Sequence, residues 1–75
     1  MARLVKTHDE RDKSIIVVAV TAVSDSVAEK RAKAYVLTRM PLKAGGITEV
    51  DAIEFGETRF DIATKYHVAV TVESG

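Results

Sequence analysis

From residue 60 to residue 73 the chain alternates with hardly a slip. Phe60, Ile62, Tyr66, Val68, Val70 and Val72 share one parity with Thr64, while Asp61, Lys65, His67, Thr71 and Glu73 take the other. Strict alternation over this length predicts a half-buried β-strand. Upstream, SIIVVAVTAVS (14–24) is rich in β-branched residues and apolar at both parities, the pattern of a strand covered on both faces. One helix in a small monomer covers one of those faces. The other needs more of this chain or another copy of it.

A helix is predicted from about 27 to 39. Ser26 followed by Glu29 has the spacing of a capping box, in which each side chain satisfies a backbone N–H at the helix start. Pro41 disfavours helical geometry at Met40 and ends it. Ala28, Ala32, Tyr35, Val36 and Met40 form one apolar stripe, with Glu29 and Lys33 as a favourable pair outside it. PLKAGG (41–46) is a connection, and ITEVDAIEF (47–55) is a strand whose alternation breaks. A bulge near Asp51 and Ala52 would bring Val50, Ile53 and Phe55 onto one face. GETR (56–59) is expected as a tight reversal into the long last strand.

The predicted order is β-α-β-β, an α+β fold with one helix on a long, bent antiparallel sheet. Residues 1–13 are ambiguous. ARLVKT is either an extra short strand closed by the charged HDERDK turn or part of a free arm that reaches a neighbouring subunit. Residues 14–75 make the single domain. A helix of about 13 residues spans roughly 20 Å, whereas a strand of about 13 residues spans roughly 43 Å. The helix therefore covers about half of the last strand's apolar row, and Tyr66, Val68, Val70 and Val72 are expected to meet copies of the chain as well as the helix.

Size sharpens that expectation. A chain of 75 residues buries only about 60% of the surface its unfolded form exposes. With no cysteine, neither disulfides nor thiolate metal sites can supplement the core, and oligomerisation is the remaining means. Acidic and basic residues balance at 11 each, so no global field draws the chain to nucleic acid or an anionic membrane. The longest apolar run is too short for a membrane helix, and the mixed charges before it do not resemble a signal peptide. The cytoplasm is the expected compartment.

Few residues suggest chemistry. His67, beside Tyr66 and two residues from Lys65, suggests acid–base chemistry or ligand binding, but its place on the polar parity of the last strand equally suits a solvated or interface histidine. Glu49, Asp51 and Glu54 gather carboxylates on the preceding strand, which around a symmetric oligomer would suit a hard cation such as calcium or magnesium. Lys30, Arg31, Lys33, Arg39 and Lys43 give the helix a basic side, but no aromatic residues interleave with them as they do in a nucleic-acid surface. No phosphate-loop spacing accompanies Gly45-Gly46. No nucleophile, base and acid stand in a recognised catalytic order, so the chain is read as a non-enzyme.

The helix start SDSVAEKRAKA, the strand segment VDAIE and the ending YHVAVTVESG, together with length and element order, give residues 14–75 a pattern that resembles the dodecins. These are small β-α-β-β proteins that wrap a curved sheet around one helix and assemble as hollow dodecamers. The resemblance implies a homo-oligomer that holds a small ligand. In flavin-binding dodecins a tryptophan stacks on the flavin and a glutamine hydrogen-bonds it; Asp51 and Ala63 stand at the corresponding positions, and the chain has neither tryptophan nor glutamine. That argues against flavin held in the family's manner and leaves a divalent cation as the alternative that the acidic cluster suits. The expected function is non-enzymatic binding or storage of a small ligand or cation by a homo-oligomer. The rival expectation is a structural module, such as a phage or assembly component, linked through the N-terminal arm.

Overall fold

A computed structural model describes residues 2–40, 46–57 and 63–73, with Glu57 described in its backbone alone. The elements are β1 (Ala2–Asp9), β2 (Lys13–Ala22), α1 (Asp25–Arg39), β3 (Ile47–Glu57) and β4 (Thr64–Glu73). The four strands form one antiparallel sheet in the order β1-β2-β4-β3. The α+β class and the single helix on an antiparallel sheet are as the pattern predicts. Residues 2–9 form the extra strand in place of a free arm, and the charged turn closes with the Glu10 N–H donating to the Lys13 carbonyl at 2.7 Å.

Directly paired residues in antiparallel strands point to the same side, so the pairing register divides the sheet into two faces. Ile16, Val18 and Val20 of β2 and Tyr66, Val68, Val70 and Val72 of β4 face α1 and are buried beneath Ala28, Ala32 and Val36. Three buried positions a helical turn apart are two alanines and a valine, so α1 lies close on the sheet. Val50 and Ala52 of β3 and Ala2 of β1 pack against the margins of this core.

Three local expectations change. The helix begins at Asp25, and its cap is Ser24, whose extended backbone lets its Oγ accept from the Val27 N–H at 3.3 Å while its carbonyl accepts from Ala28 at 3.0 Å. Ser26 already lies inside the first turn. At the far end, the Met40 N–H donates to the Val36 carbonyl at 2.9 Å; Pro41 and most of the connection lie outside the described residues.

In β3 the register shifts fall between Ile47 and Glu49 and between Glu54 and Gly56, not near Asp51 and Ala52. Thr48 and Phe55 are the extra residues, and the strict alternation between them sends Val50 and Ala52 to the helix side and Asp51 and Ile53 to the other. A similar shift makes Val5 the extra residue of β1. Gly56 and Glu57 belong to β3, so GETR is not itself the reversal; residues 58–62, including Phe60 and Ile62, lie outside the described residues.

The third change concerns Tyr66, Val68, Val70 and Val72. The row expected to meet copies of the chain as well as the helix is covered over these four residues by the chain's own helix and its neighbours, and Val68 and Val70 are fully buried.

Candidate functional site

With α1 on one side, the other side of the sheet has no covering element among the described residues. Its middle is apolar and small: Ile15, Val17, Ala19 and Thr21 from β2 stand against Thr71, Ala69, His67 and Lys65 from β4. These side chains are half-buried by their neighbours, save exposed Lys65 and Ala19, which is buried. Towards β3 the surface continues into Ile53 and Phe55, which are 57% and 49% exposed. The two apolar parities of β2 are thus accounted for differently: one row lies under α1 and the other faces outward.

Charge on this face is sorted by edge. The register places Arg3 beside Ala19 and Lys6 beside Val17 on the β1 side, and Glu49 beside Thr71 and Asp51 beside Ala69 on the β3 side. One margin is basic and the other acidic, with the apolar strip between.

At one end of the face, Arg3, Ala19, Thr21, Phe55 and Lys65 line an open groove of about 300 Å³, together with Ala2 and Val20. The Phe55 ring lies against the His67 imidazole, with centroids 4.0 Å apart and planes inclined by 33°. Phe55 keeps the parity of Asp51 and Ile53, and as the extra residue of the bulge it lays its ring against β4. From sequence Phe55 reads as a core or interface residue on one face with Val50 and Ile53. Arg3 was hidden in a segment with two open readings, so neither was legible as part of a site.

The expected site residues are partly brought together. Asp51, Lys65 and His67 share the helix-free face, and Ala63 sits half-buried just before β4. Glu49 and Asp51 also lie there, but Glu54 pairs with Tyr66 on the helix side, so the three carboxylates do not converge. Among the described residues no three His, Asp or Glu side chains are grouped as a metal site.

The basic side of α1 is partly spent on structure. Arg31 Nη1 donates to the Thr21 carbonyl at 2.6 Å, tying the helix to the end of β2, and the Arg39 guanidinium sits 5.6 Å from the Tyr35 ring centre. Lys43 lies outside the described residues.

Tyr66 links the helix start to β4. Burial pushes its hydroxyl above the ordinary tyrosine value of 10.0, reinforced by donation to the Asp25 carboxylate and by the charges of Asp25 and Glu54, while Thr64 opposes the shift. This group lies on the helix side and stabilises the fold; it does not belong to the open face.

No protein-family model, curated protein or solved structure matches this chain. Among the described residues no helix is long and apolar enough to cross a membrane.

Proposed function

We propose that the chain is a non-enzymatic, self-associating binding module of dodecin-like topology, and that the helix-free side of its sheet is the surface with which it works. The observation that carries this reading is the strip Ile15, Val17, Ala19 and Ala69, continued by exposed Ile53 and Phe55, on a face that no element covers among the described residues. Small chains need a further source of buried apolar area, and a contiguous apolar strip of this kind marks an interaction surface. The β-α-β-β order of β2 to β4 supports the dodecin-like description, with β1 added at the edge.

Two substitutions on opposite sides of the sheet test the reading. Val17→Asp puts a charge on the open strip, and Val68→Asp puts one under the helix. Light scattering coupled to size exclusion is expected to show Val17→Asp as a folded chain of reduced assembly, and circular dichroism to show Val68→Asp as unfolded, because its buried carboxylate has no partner. An unchanged native mass for folded Val17→Asp would remove the open face from the assembly.

A second reading concerns cargo. The groove sets Arg3 and Lys65 around the Phe55 ring, a chemistry suited to a small planar anion. Absorbance outside the tyrosine band on the native elution peak would support it; a clean protein spectrum together with no retention of added aromatic carboxylates would count against it.

A further inference from the structure

The helix-free face carries more than apolar area, because its charges are arranged by row. Running across the sheet, one row reads Lys6, Val17, Ala69 and Asp51, from the β1 edge to the β3 edge. It lies at the middle of the β2–β4 ladder, which runs from Lys13–Glu73 to Ala22–Thr64. Lys6 and Asp51 are both exposed, and no ion pair within the chain engages either among the described residues. A row with a cation at one end, an acid at the other and small apolar residues between them complements its own reverse.

We propose that the occupant of this face is a second copy of the chain, packed sheet to sheet about a two-fold axis parallel to the strands. The proposal rests on the self-association reading above and specifies its geometry. Rotation about that axis keeps each row at its own level and reverses it. Val17 and Ala69 then meet Ala69 and Val17 of the second copy, and Lys6 meets Asp51 of the second copy at both margins. Lys65 lies over Thr21 of the second copy rather than over another cation.

Arg3, one row along, reaches the side of the second copy that carries Ile53 and Phe55, where its stem covers apolar surface and its guanidinium can lie on the ring. An axis across the strands would instead set the basic edge on the basic edge and the acidic edge on the acidic edge. Like charges facing each other oppose that arrangement.

Edges and area point the same way. Both edge strands are broken by an extra residue, Val5 in β1 and Thr48 and Phe55 in β3, and both carry charge. These are the devices by which sheets avoid edge-to-edge pairing, so the face is the route left for a copy to join. Strands about 4.8 Å apart and roughly 30 Å long give a four-stranded face of roughly 500–600 Å². Two such faces bury on the order of 1,000–1,200 Å², enough for a specific though modest interface. Sheets packed face to face lie about 10 Å apart and within about 30° of alignment, a gap that a lysine and an aspartate together span.

The test is a charge swap on the full chain, read as the dissociation constant of the two-copy unit by light scattering or sedimentation. Lys6→Glu and Asp51→Lys each set like charges against each other twice per pair, and each is expected to weaken association about tenfold. The double variant restores opposite charges and is expected to return to within about threefold of the starting chain. Both substitutions sit at exposed positions and leave the helix-covered core untouched.

A double variant as weak as the product of the single variants, or single variants without effect on a chain that does self-associate, would overturn this axis while leaving self-association standing. A starting chain that remains a monomer at all concentrations would overturn both and give the face to another partner.

Discussion

Gly46 and Gly56 stand at opposite ends of β3 and differ in what surrounds them. The Glu73 N–H donates to the Gly46 carbonyl at 2.9 Å, and this close approach leaves no room: a Cβ on Gly46 would collide with the Glu73 carbonyl oxygen. A Cβ on Gly56 meets only the flexible Lys65 side chain, at 3.9 Å. Gly46→Ala is therefore expected to destabilise by about 1–3 kcal/mol, since backbone must move to admit it, and Gly56→Ala to be neutral or stabilising by up to about 1 kcal/mol. Urea unfolding midpoints measure both.

Tyr66 gives the same scale a pH dependence. Its hydroxyl is harder to ionise in the folded chain than in the unfolded one, for burial and the Asp25 carboxylate both favour the neutral form. The stability this contributes is fully present below the ordinary tyrosine value of about 10 and is lost as pH rises through the raised folded value. Stability curves taken from neutral pH to above about 10 should fall more steeply for the starting chain than for Tyr66→Phe, which lacks the titrating group. Parallel curves would mean that the hydroxyl is no more shielded than in the unfolded chain.

At the scale of elements, helix initiation depends on one serine of two. Ser24→Ala removes the side-chain acceptor for the Val27 N–H and is expected to cost about 1 kcal/mol. Ser26→Ala, inside the first turn and exposed, is expected to change stability by less than about 0.5 kcal/mol. Equal losses on thermal or chemical unfolding would restore Ser26 as the cap.

The sequence carried both serines at plausible spacings, and the Glu29 partner favoured the wrong one. What decides is the extended backbone at Ser24, a consequence of how β2 turns into the helix. The strands were legible where their period was unbroken: β4 from its alternation, β2 from apolar residues at both parities. Bulges were not legible in position, because one extra residue at Thr48, Phe55 or Val5 changes the face of a side chain without changing composition. The bulge expected near Asp51 and Ala52 lies elsewhere, so Ile53 and Phe55 stand on the open face, opposite Val50 rather than beside it. β1 reads equally well as a strand or an arm for a different reason: the sequence does not decide whether the charged HDERDK turn closes a hairpin.

For the molecule as a whole, the length argument pointed to assembly through the wrong side of β4. The described row Tyr66, Val68, Val70 and Val72 is satisfied by α1 and forms the core. The outward row of β2 was legible as a strand needing two covers, but its partner strip on β4 and the sorting of charge by edge required the strand order. Sequence alone leaves that order undetermined, since β1 and β3 are distant along the chain and become opposite margins only once β4 inserts between β2 and β3.

If the helix-free face covers itself with another copy, the native mass of the untagged chain depends on dilution. With a chain mass of 8.2 kDa, the expected scattering mass is at or above twice that value, built from paired chains and falling towards one chain on dilution. A mass of one chain at every concentration would contradict it.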